Sequence, residues 1–115
     1  MTAGIWNINL EQGTTWSRRV VVTDKQGYPV NLAGYSVRMQ ARETYDSPAV
    51  LDLSVGNGVT LTNPTAGEFL LKITNEQSRG LSFDQAIYDI ELTAPNGDTM
   101  RLMQGAIRLS REVTL

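Results

Sequence analysis

From Tyr88 to Met103 the chain alternates, turns and alternates again, and this pattern restricts the fold more than any other stretch. Tyr88, Ile90 and Leu92 are interleaved with Asp89, Glu91 and Thr93. A period of two describes a strand with one buried and one wet face. Pro95-Asn96-Gly97 then supplies a three-residue hairpin loop. Proline presets the first turn position, asparagine tolerates the second, and glycine takes the left-handed position that begins a bulge. Ala94 therefore faces Asp98. Counting outward puts Leu92 opposite Met100 and Ile90 opposite Leu102 on one face, with Glu91 opposite Arg101 on the other. A slip by one residue would drive a charge into the core.

The returning strand cannot keep that phase to its end. Regular alternation from Met100 and Leu102 would bring Gln104, Ala106 and then Arg108 inward. A bulge at Gln104-Gly105 instead turns Ile107, Leu109 and Val113 inward and Arg108, Ser110 and Glu112 outward, with Arg111 reaching solvent or a partner near the strand end. The same strand-and-turn unit recurs upstream. Trp6, Ile8 and Leu10 alternate before Gln12-Gly13, and Thr15 to Thr23 forms a longer strand. Val37, Met39 and Ala41 alternate with Arg38, Gln40 and Arg42, and Leu51 and Leu53 flank Asp52. Val59 to Thr62 is short, and Phe69, Leu71 and Ile73 make a firm strand. The segment Thr74 to Gly80 has room for one helical turn capped by Thr74 or Asn75, and is read as a crossover loop. The 115 residues suit a single domain spanning 1–115. About seven or eight short strands without a long helical period indicate two packed antiparallel sheets or a small barrel; the first choice is an immunoglobulin-like antiparallel β-sandwich, although the cysteine pair typical of antibody domains is missing.

The chemistry available is narrow. There is no histidine and no cysteine, which removes the commonest general base, the commonest transition-metal ligands and every thiol nucleophile. Asp89 and Glu91 share a strand face, but Arg101 stands opposite Glu91, and charged strand faces are ordinarily just solvated. Asp24, Asp46, Asp52, Asp84 and Asp98 lie mostly in or beside turns, without the spacing of a calcium loop. The glycines punctuate strands and open no phosphate-binding helix. No catalytic, cofactor or metal residue is assigned, so a non-enzymatic protein is expected. The 41% hydrophobic and 19% charged composition is globular, and the net charge of −2 argues against nucleic acid as a partner. No stretch is long enough to span a bilayer, and the start of the chain lacks the pattern of a leader peptide. Cytoplasmic synthesis and no membrane partner are expected. Trp6 and Trp16 are assigned to the core or a sheet face, with sugar stacking as the sharper alternative. Arginine is enriched at protein interfaces, so Arg18, Arg19, Arg38, Arg42 and Arg111 are the candidate interface residues.

Several segments together carry a family resemblance. Asn31-Leu32-Ala33-Gly34-Tyr35 before Ser-Val-Arg-Met-Gln-Ala-Arg, then Tyr88-Asp89-Ile90-Glu91-Leu92, Arg101-Leu102-Met103-Gln104-Gly105 and Arg111-Glu112-Val113-Thr114, resemble the small β-sandwich virion proteins of tailed bacteriophages. These are broadly similar to the N-terminal module of baseplate upper proteins; unlike a baseplate upper protein, this chain is expected to carry no fibre-forming tail for receptor attachment. The resemblance implies a virion structural part made in the host cytoplasm, first a tail or baseplate component that contacts other virion proteins. Symmetric homo-oligomers are expected, most simply trimers or hexamers, since exposed sheet edges invite pairing with other chains. A capsid decoration protein and a small carbohydrate-binding module are the alternatives.

Overall fold

The computed structural model describes residues 4–114; residues 1–3, part of the stretch read above for a leader, and residue 115 lie outside them. Among the described residues the strands are β1 Gly4–Ile5, β2 Ile8–Glu11, β3 Trp16–Val21, β4 Ser36–Arg42, β5 Ala49–Val55, β6 Gly58–Asn63, β7 Glu68–Ile73, β8 Gln85–Thr93 and β9 Thr99–Ser110. A 3-10 turn occupies Pro64–Ala66 and one short helix, α1, spans Asn75–Arg79. The fold is all-β, as the strand spacing predicts. Nine strands are drawn rather than seven or eight because one strand is interrupted. β1 and β2 run along β9 with a constant offset, Ile5 opposite Gln104 and Ile8 opposite Ile107, and part only at Trp6 and Asn7.

Neighbouring strands follow the order β1-β9-β8-β4-β5-β6-β7-β3, with β2 also on β9. The sheet is mixed rather than wholly antiparallel, since β1 and β2 lie parallel to β9 and β5 meets β6 in a short parallel pairing. That pairing joins two layers at Gly56-Asn57-Gly58, where Gly56 and Gly58 take φ of 87° and 92°. Only glycine adopts such angles without strain, and the chain rolls there from one layer to the other.

Alternation decides which face is buried. Val37, Met39 and Ala41 of β4, Leu51 and Leu53 of β5, Ile90 and Leu92 of β8 and Ile107 of β9 meet Val59 of β6 and Phe69, Leu71 and Ile73 of β7 in one core. Each of these side chains larger than alanine contributes about 1.5–3 kcal/mol when removed from water, so the register that buries all of them prevails.

The hairpin forms as its turn chemistry dictates. The Ala94 N–H donates to the Asp98 carbonyl at 2.8 Å, that of Gly97 donates to Ala94 at 2.9 Å, and Gly97 has φ of 94°. Leu92 lies opposite Met100 and Glu91 opposite Arg101, but Ile90 faces Met103 rather than Leu102. The extra residue is thus Leu102, and the bulge falls there instead of at Gln104-Gly105. Its consequence for the later residues is the predicted one: Ile107 and Leu109 are buried, Arg108 and Ser110 exposed.

Gly105 has a different task. It sits at the break between β1 and β2, where a Cβ would collide with the Trp6 carbonyl. That carbonyl accepts the Tyr88 hydroxyl, while the Trp6 N–H donates to Gln104 at 2.9 Å. Close backbone approach, not a bulge, explains the glycine. β9 ends at Ser110, and Val113, expected inside, is 96% exposed.

The segment read as a crossover loop closes into α1 through a complete capping box. The Thr74 hydroxyl accepts the Gln77 N–H, and the Gln77 side chain accepts that of Thr74. Beside it, the buried Ser78 hydroxyl donates to the Thr14 carbonyl at 2.7 Å and accepts the Gly13 N–H at 3.0 Å. The Gln12 amide donates to Leu81 at 2.7 Å and accepts from Glu112 at 2.9 Å. One end of the sandwich is therefore pinned by side chains from the β2–β3 loop, α1 and the segment after β9. No helix among the described residues is long and apolar enough to cross a membrane.

Candidate interaction face

The outer face of β5, β4, β8, β9 and β1 collects most of the charge that alternation sends outward. Strand register sets it in three transverse rows. The first runs Ser54, Arg38, Glu91, Arg101, and the second Asp52, Gln40, Asp89, Gln104, Ile5. Ala49, Arg42, Ile87 and Ala106 form the third.

The first-row arginines lean diagonally onto second-row carboxylates. Arg38 grips Asp52 with a fork, Nε to Oδ1 at 3.2 Å and Nη2 to Oδ2 at 2.9 Å, and Gln40 adds a third bond at 3.1 Å. The hydrogen bond from Arg38, then that from Gln40, holds the Asp52 carboxyl below its ordinary pKa. Arg101 lies 3.4 Å from Asp89 and donates to Gln104 at 3.2 Å. Arg42 instead bonds the Ser47 carbonyl at 2.7 Å and the Gln40 amide oxygen at 3.3 Å. Between rows two and three is a depression of about 380 Å³ bordered by Gln40, Arg42, Ile87, Asp89, Arg101 and Gln104. Two conspicuously bare apolar side chains also line it, Tyr45 at 87% and Ile5 at 78% exposure.

The five arginines singled out in the sequence do not share one surface. Arg38 and Arg42 lie on this face. Arg19 turns outward from β3, 3.6 Å from Glu68. Arg18, its neighbour, points the other way and stacks 4.3 Å above the Trp6 ring, because successive strand residues face opposite sides. Arg111 is at the pinned end, donating to the Ser82 carbonyl at 2.6 Å and lying 3.5 Å from Asp84. Tyr45 and Ile5 were missed: one belongs to a polar connection, the other to a strand of two residues. Their only signal is an apolar side chain outside the alternating pattern.

No protein-family model matches the chain, and no curated protein matches it. Solved structures do. A Tim-1 structure shares 9% identity over 100% of this chain and 99% of that one, at a TM-score of 0.48. The extracellular domains of the voltage-gated sodium channel beta4 subunit, described as parallel homodimers with a role in cell-cell adhesion, share 9% over 98% and 97%, at 0.47. A structure from a study of cell-adhesive interactions of such channels' beta subunits shares 15% over 99% and 98%, at 0.45. Similarity of this size transfers none of their roles.

The bacteriophage role implied by resemblance is corrected at this point. The structures reported are not virion parts, and nothing else matched supports one, so the tail, baseplate and capsid-decoration assignments and the virion partners are set aside. Carbohydrate binding through the tryptophans is set aside too. Trp6 is stacked on Trp16 with centroids 6.2 Å apart and carries Arg18 on its ring, so the indoles serve each other rather than a sugar.

Proposed function

We propose that this domain is a non-enzymatic protein-binding module whose contact surface is the outer face of β5, β4, β8, β9 and β1. The observation that carries this reading is the bare pair Tyr45 and Ile5 beside one depression on a face of mixed charge. Apolar and aromatic anchors within a polar surround are the composition of protein contact sites. The carboxylates there are poorly suited to acid catalysis. Asp52 is held ionised by Arg38, and Asp89 is tied to Arg101.

A photo-crosslinking amino acid placed at Tyr45 or Gln104 should attach the domain to protein in its source cell. The same group at Thr60 or Lys72, on the outer side of the other layer, should not. Crosslinks arising equally from both layers, or from neither, would reject the reading.

A further inference from the structure

We infer that the partner on this face is a second copy of the chain, an inference that rests on the protein-binding reading above. The face carries Arg38, Arg42 and Arg101 against Asp52, Asp89 and Glu91, so two copies can approach without net repulsion. Inside one copy, Arg38 pairs with Asp52 and Arg101 with Asp89. Among the described residues this leaves Arg42 with no carboxylate within 4.0 Å and Glu91 with no cation within 4.0 Å. Both arginines beside Glu91 in its row have been drawn toward the second row.

One unmatched charge of each sign on a single face is what a two-fold contact uses, because residue i then meets j while j meets i. Arg42 is in the third row on β4 and Glu91 in the first row on β8, on either side of the Gln40–Asp89 pair. A two-fold axis in the contact plane, passing over that pair and inclined to the rows, exchanges the two. Asp89, close to the axis, is already neutralised by Arg101. The exposed Tyr45 and Ile5 flanking the depression supply apolar area for the contact to cover.

The free edge of the sheet is the poorer route to self-association. Antiparallel pairing of β3 with its own copy, centred on the strand, puts Arg18 opposite Arg18 or Arg19 opposite Arg19, and like charges directly opposite are destabilising. A face five strands wide and three rows deep buries roughly 1,000 Å² in total, the small end of specific interfaces, so a micromolar dimer is expected.

Sedimentation equilibrium from micromolar to millimolar concentration tests this. The wild type should dimerise, Arg42→Glu and Glu91→Arg should each weaken the dimer about tenfold, and the double variant should recover most of the loss. Thermal unfolding of each variant separates a lost contact from a lost fold. A wild type that stays monomeric, or a double variant no better than the single ones, overturns the inference. Face-specific crosslinks to a different protein together with a monomeric wild type would remove the second copy while leaving the protein-binding reading in place. Absence of both would remove the two together.

Discussion

A phenol at 4% exposure must find an acceptor, and Tyr88 finds one in the carbonyl of Trp6, far from it in sequence. Burial favours the neutral form and pushes the Tyr88 pKa up to about 12. Since the folded pKa lies above the unfolded value of about 10, the stabilisation is complete below pH ~10 and is lost as pH rises through about 12. Wild-type melting temperature should therefore fall over that window more steeply than that of Tyr88→Phe. The variant starts lower at neutral pH, by about 1–3 kcal/mol, because the Trp6 carbonyl loses its donor. Parallel alkaline curves for the two proteins would assign the loss to other groups. The contact lies beyond sequence reading, as alternation identifies Tyr88 as inward-facing but cannot say which backbone group it will meet.

At the scale of the element, the β8–β9 hairpin shows which information is local. Pro95, Asn96 and Gly97 determine their turn by their own backbone preferences, and the pairs nearest it follow. The bulge does not follow, because its place depends on where Gly105 must stand to admit the Trp6 carbonyl, and Trp6 arrives with the first strand. Leu102 and Met103, both half-buried, absorb the extra residue. The phase beyond it is still testable. Ile107 is 1% exposed, and Ile107→Asp should cost about 4 kcal/mol or more by burying an unpaired charge, whereas Arg108→Asp should change stability by about 0.5 kcal/mol or less. Thermal unfolding in which Arg108→Asp is the more damaging would contradict the register of β9. The candidate face divides in the same way. Alternation is enough to send Arg38 and Arg42 outward, but which strands flank β4 is a property of topology, so Asp52, Asp89 and Arg101 become their neighbours only in the folded sheet. Adjacent basic residues mislead for a related reason, since Arg18 and Arg19 are neighbours in sequence and face opposite sides.

For the whole molecule, the decisive event is that side chains bridge the two ends of the strand order, which no strand pairing joins among the described residues. The strands beside β9, β1 and β2, and the last strand, β3, are the two ends of that order, yet Trp6 and Trp16 stack across them at 6.2 Å with Arg18 over the Trp6 ring. The sequence contains exactly these two tryptophans, so indole fluorescence reports the closing of the sandwich at one place. Far-ultraviolet circular dichroism reports the strands throughout. Ile8 and Leu10 of β2 and Val20 of β3 belong to the same core as β4, β7 and β8, which leaves no independent set of apolar contacts to hold the closed seam or to survive its opening. Single domains of this size generally unfold in one cooperative step. The two signals should therefore share one denaturant midpoint and one slope, as coincident transitions require. A fluorescence change complete at distinctly lower denaturant would mean that the seam opens as a separate unit of low stability, and the core would then have to be treated as two bodies rather than one.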